Sequence, residues 1–286
     1  MSVFYRQLKS MGTRMDLVLP DVDEEQGEQI SGMVAHELDR IEQRLSVYNP
    51  GSVISEINRN AFHRRVSLDS EMTDIFEEIE LYHTITAGYF DITVKPVLDF
   101  LKTRGGERVA FPAELIDKVG FRHVILDKGT IRFKKEGVAI DLGGFGKGYA
   151  MRKIKELINQ MHVSNALLSF GESLVCGIGR HPFGDSWKVS VPGSENQSEG
   201  IKVFELRDES LSVSGNSLNN QKKFGNSGHI FDPVHFSMQS HTGIVVVNSG
   251  EPVKSEILST ALFGAGRIYE EVILSKAEGV EIYWMA

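Results

Sequence analysis

Residues 141–150 read Asp-Leu-Gly-Gly-Phe-Gly-Lys-Gly-Tyr-Ala, and the reading of the whole chain turns on them. Before them, Val138, Ala139 and Ile140 form an apolar run that predicts a strand. After them, Ala150, Ile154, Leu157, Ile158 and Met161 recur at helical spacing. The stretch therefore predicts strand, glycine-rich turn, helix. Such a turn aims backbone N–H groups and the positive end of a helix at one point, which favours an anion there. Gly143, Gly144, Gly146 and Gly148 let a ligand approach the backbone closely. Lys147 adds a cation and Asp141 a carboxylate. The same residues also describe a tight connection with no ligand, so the rest of the chain has to discriminate.

The chain has 286 residues and a net charge of −8, with no block of Lys or Arg. That balance argues against non-specific binding to nucleic acid or to an anionic membrane. The length allows one large domain or two intimate lobes with a substantial core. The single cysteine, Cys176, excludes an intramolecular disulfide and a cysteine-based zinc site. It lies in the apolar run Leu174-Val175-Cys176 and is expected to be a buried small hydrophobe. The opening MSVFYRQLKSMGTRM has no apolar signal-like core, and no run of about 18 apolar residues occurs. The chain as given is expected to have no membrane segment and to be cytoplasmic, or periplasmic or membrane-anchored if a leader has been trimmed.

Thr13–Leu19 alternates and predicts a strand after a Met11-Gly12 turn. Ile30, Val34, Leu38, Ile41 and Leu45 predict a helix over about 24–45, broken at Tyr48-Asn49-Pro50-Gly51. A second helix is predicted over about 67–87, with Gly88 as its stop. Residues 123–127 and 130–133 read as a hairpin around Lys128-Gly129. The second half is strand-rich, with predicted strands at 166–170, 174–178, 187–191, 201–205, 210–213, 242–247 and 280–284. Ser214-Gly215-Asn216 reads as a turn, and helices are predicted over 256–263 and 268–274. Long helices flanking antiparallel-type strands point to an α+β fold.

Several side chains could carry chemistry. Glu256 and Thr260 stand four apart on a predicted helix and share a face. A carboxylate beside a hydroxyl suits Mg²⁺, although each also occurs as an ordinary solvated or back-bonded helix residue. Asp91, among apolar residues, reads as a capping acid or a ligand contact. His229, ahead of Asp232-Pro233, has the right titration range for general acid–base work or is a plain surface histidine. Tyr48, Tyr89, Phe90 and Tyr149 lie beside these turns and either stack on a planar ring or belong to the core. No P-loop, dinucleotide fingerprint or nucleophile elbow is present.

Taken in order, these pieces resemble the ApbE-like family of FAD:protein FMN transferases. Met11-Gly12-Thr13 resembles the family's M-G-T, and Leu45-Ser46-Val47-Tyr48 with Ser52 to Asn58 resembles L-S-x-Y…S-E-I-S-x-x-N. Gly88–Pro96 resembles G-x-F-D-x-T-V-x-P, and residues 141–150 resemble D-L-G-G-I-A-K-G-Y-A. Ser214-Gly215-Asn216 stands for S-G-D or S-G-N, His229–Pro233 for H-I-I-D-P, and Ser255–Leu262 for A-D-x-L-A-T-A-L.

The resemblance implies a T-fold-related α+β fold, with antiparallel-rich sheets and flanking helices. It implies one catalytic domain over 1–286, built as one unit or as two intimate lobes with the FAD site in the cleft between them. It implies FAD as substrate with Mg²⁺, and transfer of FMN to a Thr or Ser hydroxyl of an acceptor flavoprotein, releasing AMP. By motif, Met11, Tyr48, Phe90, Asp91, Ile92, Asp141, Lys147 and Ile230 would contact FAD. Glu256, Thr260 and a carbonyl of Gly144 or Gly146 would hold the metal, and His229 or Glu256 would take the hydroxyl proton. Three departures stand out: Glu256 for the family's Asp, Gly171-Glu172-Ser173 for G-G-D or G-G-N, and VHFSMQSHTG where T-G-x-P should follow. An FAD pyrophosphatase or a non-catalytic FAD-binding protein are the alternatives.

Overall fold

The computed structural model describes residues 2–104, 110–171, 173–192, 201–216, 230–239 and 243–285. Its centre is a seven-stranded sheet in which every neighbouring pair is antiparallel. The order is β1 (Val3–Ser10), β2 (Thr13–Pro20), β6 (Ala166–Phe170), β7 (Leu174–Ile178), β10 (Ser210–Asn216), β13 (Gly243–Ser249) and β14 (Val280–Met285). Three smaller sheets accompany it. One joins β3 (Val66–Ser67), β5 (Thr130–Phe133) and β4 (Val124–Asp127); the others pair β8 (Trp187–Val191) with β9 (Lys202–Leu206), and β11 (Phe231–Asp232) with β12 (Ser237–Met238).

The two faces of the large sheet follow from the period-2 alternation of its strands. On β7, Leu174, Cys176 and Ile178 join the main core, while Val175 joins a separate cluster with Trp187, Phe204 and Leu206 of the β8–β9 hairpin. β13 divides in the same way, with Val245 and Val247 on one side and Val246 on the other. The main core is covered by helices α1 (Glu24–Leu45), α6 (Gly146–Gln160) and α7 (Pro252–Ala265). α1 buries the predicted Ile30, Val34, Leu38, Ile41 and Leu45, and Asp23 caps it by accepting from Gln26 N at 2.9 Å. α7 sits close on β10 because small hydroxyl residues face each other there. Ser259 Oγ lies 2.9 Å from both Ser212 Oγ and Ser214 Oγ, and Ser255 Oγ donates to Ser210 O at 2.9 Å. Cys176 is fully buried, and burial pushes its thiol pKa up, as suits an inert core residue.

Several sequence expectations need correction. β1 was not foreseen; Val3, Tyr5 and Gln7 are exposed along this edge strand and dilute its apolar pattern. Val53–Asn60, whose letters look short and polar, is helix α2, capped by Ser52 accepting from Ser55 N at 2.9 Å. The helix predicted over 67–87 is α3 (Ser70–Ile85), followed by a segment for which the sequence named no element. It forms a 3₁₀ turn over Ile92–Val94 and helix α4 (Lys95–Thr103), begun by Pro96 in its first turn. A short helix, α5 (Ala113–Ile116), follows before β4. Ser214-Gly215-Asn216 is not a turn but the end of β10, paired with Gly243–Val245 of β13. Gly215 fits that strand because any Cβ there would lie 2.5 Å from Ile244 Cγ2 and 2.6 Å from Gly243 O. The predicted helix over 268–274 is a 3₁₀ turn at Arg267–Tyr269 followed by α8 (Glu270–Leu274). No helix of the described residues is long and apolar enough to cross a membrane.

Candidate active site

The apolar run ahead of the glycines is not the strand its letters predict. Residues 138–140 belong to no sheet. A side chain satisfies the backbone instead: Ile140 N donates to Asn58 Oδ1 at 2.7 Å, and Asn58 Nδ2 donates to Ile140 O at 2.9 Å. Asp141 N donates to Ile92 O at 2.8 Å, which ties the stretch to the segment after α3. Asp141 Oδ1 accepts from Gly143 N at 3.0 Å, so the carboxylate closes the turn it precedes. Gly144 takes φ +79°, and a Cβ there would stand 3.2 Å from Thr260 Oγ1 and Cγ2. The turn thus lies against the Thr260 face of α7 because Gly144 has no side chain.

Helix α6 starts at Gly146, inside the glycine run, and no side chain of its own caps it. Its cap comes from α7. Gly148 N donates to Glu256 Oε2, and Glu256 is 2% exposed. The anion expected at this helix terminus is therefore supplied, at one N–H, by the protein's own carboxylate. Lys147 Nζ lies 2.9 Å from the other oxygen, Glu256 Oε1, and donates to Ser173 Oγ at 3.1 Å. The Lys147–Glu256 contact is close in distance but not aligned as a hydrogen bond, and Oε1 is buried with no hydrogen-bond partner. Gly148 permits the arrangement: a Cβ would stand 2.8 Å from Val253 Cα and 2.9 Å from Pro252 O.

A cleft of about 350 Å³ opens over these groups. Met11, Tyr48, Asp141, Gly144, Gly146, Lys147 and Glu256 all line it, together with Glu42. Met11 sits at the β1–β2 turn with φ +51°, held by its N–H donating to Glu42 Oε2 at 2.8 Å. Tyr48 is 76% exposed at the cleft, with its hydroxyl accepting from Lys102 Nζ at 2.9 Å and the ammonium 4.9 Å from its ring centroid. An open aromatic face beside a pocket is a surface for stacking a planar ring.

The other predicted site residues lie elsewhere. Phe90, Asp91 and Ile92 are buried and do not line this cleft. Asp91 is a capping acid: Oδ1 accepts from Thr93 N at 2.8 Å and Thr93 Oγ1 at 2.6 Å, and Oδ2 accepts from Phe121 N at 2.9 Å. Ile230 is buried near the C-terminal end of α7, facing Gly264. His229, Glu172 and Thr242 lie outside the described residues. Thr260 touches the glycine turn from α7 through the Gly144 contact. Among the described residues, no group of three or more His, Cys, Asp or Glu side chains is placed to hold a metal.

Two supports were invisible in the sequence. Glu42 of α1 anchors the Met11 turn, accepting also from Ser10 Oγ at 2.9 Å. An ion-pair network fixes α6. Tyr149 Oη donates to Glu71 Oε1 at 2.7 Å, and Arg40 pairs with both Glu71 and Glu37. The Arg40 guanidinium holds the Glu71 carboxyl down at about 2. Burial and the Glu71 hydrogen bond push the Tyr149 hydroxyl up. Arg152 joins Glu78 of α3 to Glu251, the residue capping α7, at 2.5 and 2.6 Å. Only the acidic and basic spacing along α3 and α6 hinted at these pairs, and spacing within one helix does not reveal partners on another.

Known proteins with similar sequences and folds bear on this geometry. The chain is 29% identical over 224 residues to the FAD:protein FMN transferase of Chlamydia muridarum, covering 75% of this chain and 66% of that protein. It is 24% identical over 289 residues to the FAD:protein FMN transferase of Escherichia coli K12, covering 96% of this chain and 82% of that one. The crystal structure of the ApbE protein of Thermotoga maritima superposes with a TM-score of 0.84 at 22% identity, covering 99% of this chain and 94% of that one. That likeness confirms the α+β fold expected from the resemblance. The model of the ApbE family matches residues 11–284, which take in the Met11 turn, the glycine-rich stretch and α7, and the chain therefore belongs to the ApbE family.

Proposed function

We propose that the chain is a flavin transferase that takes FAD and passes FMN to a hydroxyl of an acceptor protein. The observation that supports this most is the convergence on one cleft of an open aromatic face, the glycine turn, and a buried carboxylate oxygen with no hydrogen bond. FAD offers a planar ring system and a pyrophosphate, and the cleft offers a counterpart for each. Tyr48 stacks on a ring, while the Lys147 ammonium at the glycine turn faces the phosphates. Met11 and Asp141 frame the cleft walls. Phe90, Asp91 and Ile92 act on it from behind, through the Ile92 carbonyl that holds Asp141 N. Ile230 keeps a cofactor-binding role by its motif position.

The residues also fit a divalent cation. Glu256 Oε1 is a buried oxygen lacking a hydrogen bond, and Gly144 brings the turn against Thr260 Oγ1. Carboxylate, hydroxyl and backbone carbonyl are hard oxygen donors of the kind Mg²⁺ takes. Glu256, Thr260 and a carbonyl of Gly144 or Gly146 would hold it. When bound, Mg²⁺ would neutralise pyrophosphate charge and polarise the phosphorus under attack. The protein's own part is positioning and charge placement, which carry most of phosphoryl transfer. The acceptor Thr or Ser oxygen bonds to the FMN phosphorus as the bond to the AMP oxygen breaks. The hydroxyl proton goes to a base, for which His229 is proposed on its place in the motif, with Glu256 second. The cleft lies within one catalytic unit spanning the chain.

The test is incubation with FAD, Mg²⁺ and an acceptor protein bearing a Thr in a flavinylation site, followed by mass spectrometry. A covalent FMN adduct on the acceptor with stoichiometric AMP supports transfer. AMP with free FMN and no adduct would move the assignment to FAD hydrolysis, and FAD binding without AMP would move it to a non-catalytic binder.

A further inference from the structure

The Lys147–Glu256 pair carries an inference that rests on the cation-site reading above and goes beyond it. Glu256 has two oxygens in unlike settings. Oε2 is fixed on the Gly148 N–H of α6. Oε1 has no hydrogen bond, only the Lys147 ammonium at 2.9 Å. The glutamate side chain is 3% exposed and the lysine 30%, so the ammonium covers the carboxylate from the cleft side. A buried carboxylate without a neighbouring cation is strongly unfavourable, and the Lys147 ammonium is the cation placed beside it. Yet the same ammonium stands on the oxygen a divalent cation must take. It also has a second acceptor, Ser173 Oγ, at 3.1 Å. Ser173 Oγ in turn donates to Phe170 O at 3.4 Å, leaving its lone pairs for the lysine.

We propose that Lys147 is a displaceable counter-ion: it yields Glu256 Oε1 to a divalent cation and is then held by Ser173 Oγ, facing the cleft. The exchange keeps a cation on the carboxylate and frees an ammonium for an anionic ligand. It follows that cation and anionic ligand bind with positive coupling, each raising the affinity of the other by the same factor.

The experiment is calorimetric titration of MgCl₂ into the full chain without FAD, comparing wild type with Lys147→Met, Ser173→Ala and Glu256→Gln. Removing the competing ammonium should tighten Mg²⁺ binding about tenfold in Lys147→Met, since a state occupied by the lysine is not competent for the cation. Removing the second seat should do the reverse, weakening binding about threefold in Ser173→Ala. Opposite signs from the two variants support the exchange. Unchanged or weaker binding in Lys147→Met overturns it, as does unchanged binding in Ser173→Ala. If Lys147→Met does not fold, Ser173→Ala decides alone by the same criterion. Binding by wild type that is lost in Glu256→Gln and indifferent to Lys147 overturns the counter-ion role while leaving the cation site. No Mg²⁺ binding by any of the four proteins overturns both.

Discussion

Two glycines at the start of α6 should respond to the same substitution with opposite sign. Gly148→Ala gains helix propensity, about 1 kcal/mol. Against that, the new Cβ would stand 2.8 Å from Val253 Cα, 2.9 Å from Pro252 O and 3.0 Å from Glu256 Oε2. Two of those atoms are backbone and cannot turn away, so α7 must shift from α6. Overpacking costs about 1–3 kcal/mol, and two unyielding backbone contacts place this case at about 2–3 kcal/mol. The net expectation is a loss of about 1–2 kcal/mol, or about 2–8 °C in Tm for a chain of this size. At Gly146, by contrast, nothing lies within 4 Å of an added Cβ. Gly146→Ala should therefore gain about 0.5 kcal/mol through the unfolded chain. Urea unfolding of both variants measures the stabilities, and FAD titration measures the site. Gly148→Ala should also weaken FAD binding, because the shift carries Glu256 with it. A Gly148→Ala protein as stable as wild type would refute the close α6–α7 contact and with it the capping of α6 by Glu256.

Three further outcomes are expected. Asn58→Ala should destabilise the fold by about 1–3 kcal/mol, since the Ile140 N–H and C=O each lose a partner; a loss below about 0.5 kcal/mol in urea unfolding would mean the clamp is dispensable. Asp91→Asn places an amide where three protein donors point, so Tm should fall while FAD affinity of the folded protein changes little; a large loss of FAD affinity at unchanged Tm would make Asp91 a ligand contact instead of a cap. Glu71 has its carboxyl pKa lowered from 4.5 to about 2, so the stability it contributes is present above about 4.5 and lost as pH falls toward 2. Glu71→Gln should flatten stability across that window in acid titrations followed by circular dichroism, and an unchanged slope would show that the Arg40 pairing is too solvent-screened to matter.

How far the sequence could be read depended on the range of the interaction involved. The buried stripe of α1, the β4–β5 hairpin, Cys176 and the helix after the glycine run were legible, because periodicity and turn chemistry act within a few residues. Of the site, Met11, Tyr48, Asp141, Lys147 and Glu256 were named from motif order and do meet at one cleft. Ser214–Asn216 misled because glycine between polar residues signals a turn, whereas here the absence of a Cβ serves close pairing with Ile244. Val138–Ile140 misled because its letters suit a strand, yet a side chain 82 residues away takes the place of a neighbouring strand.

By itself, then, the sequence determined the helix faces, most strand positions, and which residue types would gather at the cleft over α6. Tertiary structure decided what those residues do. The two sides of β7 face different cores because a hairpin closes over one of them. Asp91 caps a turn because Thr93 and Phe121 supply every donor its carboxylate accepts. Glu256 meets Gly148 and Lys147 because small serines let α7 settle on β10 and a missing Cβ lets α6 approach α7. Contacts spanning 108 residues depend on packing distances of a few tenths of an ångström, and no local pattern in the chain encodes them.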